Sequence, residues 1–417
     1  MGNESAMSST GRMHSRSFYQ NCLRGAVLSR LRELRQGRLV LIEGTQRHVF
    51  GSPDEDPLEA TVEVLDSRFF GRLFWGGSLG AADAYIRGYW ICHNLVDLVR
   101  IFCRNADVLS EMERRSARFF ALLRSAAHCM RRNTIAGSRR NIAAHYDLGN
   151  DFFSVFLDET LAYSCAIFPG SESSLYEASV AKFDRICQKL ELNPADHVLE
   201  IGSGWGGFAL HAAKKYGCRV TATTISKKQY EFTGKRVEEA GLGDRIRVLM
   251  QDYRQLQGAY DKIVSIEMIE AVGYRYFDTF FSKCSGLLKP AGTMLLQAIV
   301  FPDQQYNRYR KSVDFIQEYI FPGGCLPSIG AICRSIGQST DLRISHLEDI
   351  TPHYARTLAH WRQRLMDRTE QVREMGFSEE FIRTWEYYFC YCEGGFSERA
   401  IGDVQILLAK PGRGRKR

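Results

Sequence analysis

The sequence has no long hydrophobic run, which argues against a protein that spans a membrane with helices. No apolar stretch approaches the roughly 18 to 20 residues that a helix needs to cross a bilayer. The first residues, MGNESAMSSTGRMHSRS, also lack the apolar segment of a secretion signal. With 45% hydrophobic and 25% charged residues in a chain of 417, the composition is typical of a soluble globular protein. The length indicates about two domains, and we expect a cytoplasmic location.

The cysteines follow no recognisable pattern. All 12 are scattered, most of them in apolar segments, and the closest pair, Cys390 and Cys392, has neither metal-site nor redox spacing. No cysteine–histidine cluster resembles a zinc site. We therefore predict reduced thiols, as in cytoplasmic proteins, and no bound metal.

Recognised nucleic-acid-binding motifs are also missing, although the chain carries a net charge of +7. Positive charge is concentrated in RRNTIAGSRR, residues 131–140, and in the C-terminal KPGRGRKR. A solvated linker and a frayed C-terminus would explain both clusters. The functional alternative is attraction to a polyanion, either nucleic acid or an anionic membrane face. Because no nucleic-acid motif accompanies the clusters, we predict no nucleic-acid partner and favour the membrane.

Changes in composition divide the chain into regions. We predict an N-terminal domain (1–129), a basic linker (130–144), a second domain (145–411) and a basic tail (412–417). The N-terminal domain mixes strand-like runs, GRLVLIEG, ATVEVLD and GRLFWGG, with helical stretches, AADAYIRGYW and HNLVDLVRIF. From about residue 181, strands alternate with helices, which predicts an α/β fold with a parallel sheet. The segment at about 300–342 breaks this alternation and is expected to cover one edge of the site.

Glycines at positions 202, 204 and 206 directly follow the predicted strand HVLEIGSG and open a helix. Such a turn lets the backbone approach a ligand and directs helix N–H groups at it. A nicotinamide dinucleotide or S-adenosylmethionine would fit, and tight helix–strand packing is the alternative without a ligand. Glu200 could bind the cationic amino-acid part of the methyl donor. The next strand ends in TTIS, without the acid that a dinucleotide fold would place on the ribose, so Thr224, Ser226 or Gln229 must supply polar contacts.

Seven blocks together carry a family resemblance. In chain order they are HYDLGNDFF, YSCAIF, VLEIGSGWGG, TTISKKQ, DKIVSIEMIEAVG, YIFPGGCLPS and HYARTLAHW. The chain thereby resembles the cyclopropane-fatty-acyl-phospholipid synthases and their mycolic-acid relatives, over about residues 141–411. The N-terminal region resembles the family more loosely, through GGSLGAADAYIRGYW. The resemblance implies a class I methyltransferase fold, Rossmann-like with a seven-stranded sheet, and a smaller N-terminal α+β domain that engages lipid.

The resemblance also implies the cofactor and its contacts. S-adenosylmethionine would lie on the glycine turn, with Tyr163 and Ser164 of YSCAIF touching it. The predicted cofactor-binding residues are Tyr163, Ser164, Glu200, Gly202, Ser203, Gly204, Trp205, Gly206, Thr224, Ile225, Ser226, Gln229, Asp252 and Tyr253.

In the family, the base that takes a proton from the newly transferred methyl group is a bound bicarbonate ion. By matching motifs, its ligands here would be Cys165 and Ile299, both through backbone atoms, with Glu270 and Tyr354. Three of the four also have an alternative without a role in catalysis: Cys165 as a core thiol, Glu270 as a capping partner and Tyr354 as a packing residue.

Two further residues complete the set of predicted catalytic positions. Cys392 of FCYCEGGF is expected near the site but not as an essential nucleophile, because an alkene substrate needs no thiolate. Gln297 departs from the family pattern, since better-known synthases carry a histidine there that helps to hold bicarbonate. Glutamine can exchange hydrogen bonds but cannot carry a proton away, which puts the product in doubt.

The implied reaction is methyl transfer to the cis double bond of a phospholipid acyl chain, with closure of a cyclopropane ring. Three alternatives stay open: a methyl- or methylene-branched product on the same substrate, a small-molecule N-methyltransferase, and a lipid-binding protein without catalysis. The resemblance further predicts a homodimer that acts peripherally at the inner face of the membrane.

Overall fold

The computed structural model describes residues 18–52, 57–107 and 148–412. In the N-terminal part, the elements are α1 (Phe18–Leu31), β1 (Gly37–Glu43), β2 (Gln46–Ser52), β3 (Glu59–Val64), α2 (Arg68–Ile86), β4 (Trp90–Cys92) and α3 (Leu95–Arg104). Its sheet has the order β2–β1–β3–β4, with β1 parallel to β3 and the other pairs antiparallel. The predicted strands GRLVLIEG and ATVEVLD are confirmed as β1 and β3. The basic linker, residues 145–147 and most of the tail lie outside the described residues.

One N-terminal prediction is wrong. GRLFWGG lies inside α2 and not in a strand, with non-helical torsion angles at Gly77. Phe69 and Phe70 of this helix are buried in the core that the helix shares with the sheet. The apolar residues of the run were taken for a strand because a short run carries too few residues to separate helical from strand periodicity.

The second part is a seven-stranded sheet between helices. Its strands are β5 (His197–Ile201), β6 (Arg219–Thr224), β7 (Ile246–Met250), β8 (Tyr260–Ile266), β9 (Leu288–Val300), β10 (Arg343–Asp349) and β11 (Gly402–Ala409). The order is β10–β11–β9–β8–β5–β6–β7. Strands β9, β8, β5, β6 and β7 are parallel, whereas β11 is antiparallel to both of its neighbours. The predicted fold class is confirmed.

Helices cover both faces of this sheet. They are α4 (Asn150–Phe156), α5 (Leu175–Lys189), α6 (Gly207–His211), α7 (Lys227–Glu239), α8 (Phe277–Leu287), α9 (Asp303–Tyr309), α10 (Ile329–Ser339), α11 (Thr351–Met366), α12 (Thr369–Glu374) and α13 (Glu379–Ser397). The start of α5 is fixed by a capping box between Ser174 and Glu177, which satisfies two otherwise unpaired N–H groups. Central strands are apolar throughout because both of their faces are buried, as in the fully buried Leu295 and Leu296 of β9.

The N-terminal part packs directly against α13. Glu398, just beyond that helix, pairs with Arg100 and Arg104 of α3, at 2.8 and 2.9 Å. The Tyr85 hydroxyl donates to Glu386 of α13 at 2.7 Å. One hydrophobic core therefore runs from the small sheet into the helices of the larger part. In the parts of the chain that the structure describes, no helix is both long and apolar enough to span a bilayer.

Candidate active site

A cavity of about 330 Å³ opens at the carboxyl ends of β5, β6, β8 and β9. Ligands of open α/β sheets bind at this edge, where neighbouring strands connect in opposite directions. The segment 300–342, predicted to cover one edge of the site, contributes Phe301, Tyr309 and Phe321 to the cavity lining. Helices α11 and α13 supply further lining from the other side, through Tyr354, Tyr388 and Phe396.

The glycine turn after β5 forms one wall of the cavity. Gly202 and Gly204 have φ angles of +86° and +53°, in the region that favours glycine. A Cβ at Gly202 would lie 2.6 Å from Cγ of Met268, whereas a Cβ at Gly204 would meet no protein atom within 4 Å. The backbone at 204 thus faces open space inside a lined cavity, as close approach of a ligand requires.

Several buried polar atoms along this wall have no hydrogen-bond partner among the described residues. They are Oε2 of Glu200, Oγ of Ser203, Nε2 of Gln229 and the hydroxyl of Tyr253. All four residues line the cavity. Because buried polar atoms are normally paired, the group suits a ligand rich in polar atoms. Burial raises the pKa of Glu200 to about 8, and a cationic ligand would favour its charged form. These residues fit S-adenosylmethionine.

Neighbouring contacts orient the remaining polar groups. Oγ1 of Thr224 donates to Oε1 of Gln229 at 2.9 Å, which leaves the amide nitrogen of Gln229 directed elsewhere. The hydroxyl of Ser164 accepts from the buried Nζ of Lys182 at 2.6 Å, so its own hydrogen is available to the cavity. The Asp252 carboxylate is held by Arg254 at 2.7 Å.

The structure brings most of the predicted cofactor residues together, but not all of them. Tyr163, Ser164, Glu200, Gly202, Ser203, Gly204, Trp205, Thr224, Ile225, Gln229, Asp252 and Tyr253 line the cavity. Gly206 lies outside this lining and packs on α7, where a Cβ would come within 2.5 Å of Cγ2 of Thr233. Ser226 also lies outside the lining and caps α7, accepting from the backbone N–H of Gln229 at 3.4 Å.

The predicted catalytic residues form two layers. Glu270, Ile299, Tyr354 and Cys392 line the cavity. Cys165 and Gln297 lie behind them and are fully buried. The backbone N–H of Ile299 donates to Oε1 of Glu270 at 2.7 Å, while Oε2 of Glu270 has no partner among the described residues.

Glu267, at the end of β8, connects these two layers and was not predicted from the sequence. Its Oε1 accepts from the backbone N–H of Cys165 at 2.8 Å and from Nε2 of Gln297 at 2.8 Å. Its Oε2 accepts from the Tyr354 hydroxyl at 2.6 Å. The side chain lines the cavity, and its φ of +46° is unusual for a residue other than glycine. Its position directly after the buried strand β8 was the available signal.

Three carboxyl groups meet at this point. Burial, reinforced by the negative charge of Glu267, raises the pKa of Glu270 to about 8. Burial, the charge of Glu267 and a hydrogen bond to it raise the pKa of Asp403 well above its usual range. Asp403 and Glu270 therefore favour their protonated forms near neutral pH, and the buried amine of Lys182 lies nearby, its own pKa lowered by burial. Like charges this close cannot all ionise in a buried site.

Three of the four groups predicted to hold bicarbonate are already engaged. The Cys165 N–H and the Tyr354 hydroxyl bind Glu267, and the Ile299 N–H binds Glu270. The residues present therefore do not fit a bicarbonate ion at the predicted place.

The cysteines near the site are not activated. Burial is the main reason why the pKa of the Cys165 thiol is raised, and the same holds for the Cys392 thiol. A reactive thiolate needs the opposite shift, which a nearby positive charge or helix N-terminus can produce. The structure therefore offers no thiolate nucleophile at either position.

Comparisons with known proteins agree with this geometry. Residues 134–406 match the family model described as mycolic acid cyclopropane synthetase. The chain is 38% identical over 347 residues to the tuberculostearic acid methyltransferase UfaA1 of Mycobacterium tuberculosis, covering 81% of this chain and 80% of that protein. It is 34% identical over 362 residues to the cyclopropane-fatty-acyl-phospholipid synthase of Escherichia coli, covering 84% and 88%.

A solved structure shares the fold. Mycolic acid cyclopropane synthase CmaA1, in complex with SAH and CTAB, has 33% identity and a TM-score of 0.61, covering 65% of this chain and 98% of that chain. The predicted resemblance and the predicted methyltransferase class are confirmed. The chain belongs to the mycolic acid cyclopropane synthetase family and is an S-adenosylmethionine-dependent methyltransferase of the cyclopropane-fatty-acyl-phospholipid synthase type.

Proposed function

We propose that the protein transfers a methyl group from S-adenosylmethionine to the cis double bond of an unsaturated phospholipid acyl chain and releases a methylene-branched chain. The observation that carries this proposal is the division of the cavity. Unpartnered polar atoms of Glu200, Ser203 and Gln229 lie at the strand ends, and aromatic and aliphatic side chains form the opposite walls. A polar cofactor and an apolar chain can meet only where these two surfaces adjoin.

The walls suit an alkene substrate for a physical reason. S-adenosylmethionine supplies an electrophilic methyl group, and attack by a double bond leaves a carbocation on the acyl chain. Tyr163, Phe321, Tyr388 and Phe396 line the cavity, and their ring faces can stabilise positive charge. The Tyr163 hydroxyl donates to that of Tyr388 at 3.0 Å, which holds both rings in place. The same walls exclude water, which would otherwise capture the cation.

Similarity to the tuberculostearic acid methyltransferase, at 38% identity over 81% of this chain, supports the branched product. After methyl transfer, a hydride moves from the methylated carbon to the adjacent cationic carbon. The positive charge then lies on the more substituted carbon. Loss of a proton from the new methyl group, with its C–H electron pair forming a C=C bond, gives the methylene branch. Reduction to a saturated branch would need a hydride donor and lies outside this proposal.

The cyclopropane ring predicted from the sequence is the second candidate. The Escherichia coli synthase, at 34% identity over 84% of this chain, supports it. In that case the proton leaves the methyl group before any hydride shift, and the freed electron pair closes the ring. Whether the ring or the branch forms therefore depends on how quickly the proton is removed.

Lipid analysis of an expressing host tests the proposal. A bacterial host without an enzyme of this class should gain acyl chains heavier by one carbon and two hydrogens when it expresses the protein. Mass does not separate ring from branch, but proton NMR does, because ring methylene protons resonate far upfield of vinylic protons. A host that expresses Gly204→Val serves as the control. Acyl chains unchanged by the native protein would contradict the proposal.

An exposed aromatic group suggests how the enzyme reaches its lipid. Trp75 of α2 is 44% exposed, and its indole N–H donates to the hydroxyl of Tyr19 on α1 at 2.9 Å. Arg68 and Arg72 lie on the same helix and are largely exposed. Aromatic side chains beside arginines are typical of surfaces that lie in a membrane interface. We propose that this face of the N-terminal domain engages the inner membrane peripherally. A homodimer stays a prediction.

A further inference from the structure

We propose that Glu267 is the catalytic base of this enzyme and occupies the place predicted for a bound bicarbonate ion. The inference rests on the proposed function, since it concerns the proton that leaves the new methyl group. It also explains why the cavity carries a carboxylate at the end of β8.

The hydrogen bonds of Glu267 match those expected for the ion. A small bound anion needs donors that converge on its oxygens, and the predicted set included the Cys165 backbone and the Tyr354 hydroxyl. Both donate to the Glu267 carboxylate, at 2.8 and 2.6 Å. Gln297, which stands where better-known synthases carry a histidine, donates a third bond at 2.8 Å. This chain thus departs from the expected site in two ways, with Gln297 in place of a histidine and Glu267 in place of the ion. These two side chains are hydrogen-bonded to each other.

The amide of Gln297 is held in the orientation that this contact needs. Its Oε1 accepts from Nε2 of Gln405 on β11 at 3.0 Å, which turns its nitrogen towards Glu267. The same nitrogen lies 3.3 Å from Oδ2 of Asp403. A glutamine at position 297 can thus support a carboxylate that is already attached to the chain.

The backbone at Glu267 gives an independent observation. Its φ of +46° lies in the left-handed region, where side chains other than glycine and asparagine are uncommon. Strained residues of this kind persist where the surrounding structure over-determines them, and they concentrate at functional sites. Here three donors from distant parts of the chain, at positions 165, 297 and 354, hold the side chain against the cavity.

Electrostatics oppose an additional anion at this point. Glu267, Glu270 and Asp403 already converge there, and burial together with the charge of Glu267 raises the pKa of the other two carboxyl groups. A bicarbonate ion would add negative charge to this cluster, and three of its four predicted ligands already donate to Glu267 or Glu270. A carboxylate supplied by the chain avoids both difficulties.

Glu267 and Asp403 together can account for every proton in this step. Glu267 and its protonated neighbour Asp403 hold one proton between them before the reaction. The acidic C–H of the methylated cation gives up its proton to this pair, and its electron pair forms the new carbon–carbon bond. The pair then holds two protons and returns one to water after the product leaves. A carboxylate is a weak base, but a carbocation is a strong acid, so no stronger base is needed.

Two substitutions at one position test the assignment. Glu267→Gln keeps the shape but removes the base, and product formation should fall by about a hundredfold or more. Glu267→Gly removes the side chain, frees the three donors and suits the local φ, so this variant should fold. It should be inactive without bicarbonate and regain activity when bicarbonate is added. The native enzyme should work equally well with and without it. Glu386→Gln is the matched control, because this carboxylate lies outside the cavity lining and accepts from Tyr85 of the N-terminal part.

A second measurement does not depend on product. In NMR titrations with carbon-13-labelled bicarbonate, Glu267→Gly should bind the ion and the native enzyme should not. Calorimetric binding of S-adenosylhomocysteine should be unchanged in both variants, which checks the fold. Bicarbonate binding by the native enzyme, or full activity of Glu267→Gln, would overturn the assignment. Absence of product from the native enzyme would instead contradict the acyl-chain substrate, and the titration would still decide the role of Glu267.

Discussion

Substitution of Gly204 by valine should abolish cofactor binding without unfolding the protein. A Cβ at this position meets no protein atom within 4 Å, although Gly204 lines the cavity. Whatever a side chain obstructs there must therefore be the ligand. The cost to folding comes from the backbone, because a residue with a Cβ at a φ of +53° loses about 1–2 kcal/mol.

Gly241 provides a matched control for this substitution. It has a similar φ of +65°, also has no protein atom within 4 Å of a built Cβ, and lies on the surface after α7. Gly241→Val should therefore lose the same 1–2 kcal/mol of stability, about the cost of one left-handed residue, and keep its cofactor affinity. Thermal unfolding and calorimetric titration with S-adenosylhomocysteine measure the two effects separately.

The comparison between Gly204→Val and Gly241→Val tests whether the cofactor lies on the glycine turn. Gly204→Val should bind the ligand at least tenfold more weakly than Gly241→Val, a difference of about 1.4 kcal/mol or more. Equal affinities would refute the position of the cofactor on the glycine turn. A loss of affinity in both variants would mean that backbone strain, and not obstruction of the ligand, weakens binding.

Four other predictions follow from the site and the lipid-facing surface. Glu200 has a pKa of about 8, raised by burial and lowered by Lys182, so it becomes charged as the pH rises through 8. Cofactor affinity, measured by calorimetry, should rise over this pH range, and Glu200→Gln should remove the dependence. Cys392→Ala should keep most of the activity, because the raised pKa of this thiol makes it a poor nucleophile; inactivity of a folded variant would contradict this. Gln297→His should increase the share of ring product in proton NMR of extracted lipids, and an unchanged ratio would count against a role in product choice. Binding to anionic vesicles should weaken with salt, with neutralised linker arginines and with Trp75→Ala; equal binding to neutral vesicles would exclude electrostatic attraction.

Local sequence signals were sufficient for the centre of the fold. The run HVLEIGSG predicted both β5 and the turn after it, because a buried parallel strand is apolar throughout and the glycines follow it directly. Strand β10, RISHLED, was not identified individually. It lies at the edge of the sheet, and most of its residues are exposed, so it has no hydrophobic pattern to recognise.

The site was harder to predict where it depends on contacts between distant segments. Glu267 binds groups from positions 165, 297 and 354, and nothing near it in the sequence indicates that these segments meet. Lys182 lies on α5, where a lysine usually faces solvent, yet it is fully buried against Ser164. The family motifs led to residues that surround Glu267 but predicted a bicarbonate ion there and did not indicate this side chain.

Helix α13 belongs to two surfaces at once, and this affects which part of the chain can fold alone. Its inner side supplies Tyr388 and Phe396 to the cavity, while its outer side packs on the N-terminal part, where Val99 lies against Gly394. A protein trimmed to the family segment, residues 134–406, would expose that outer side to water and would lose the end of β11. The smallest autonomous folding unit is therefore longer than the segment that defines the family. Sequences that carry only the shorter segment must cover this helix in another way.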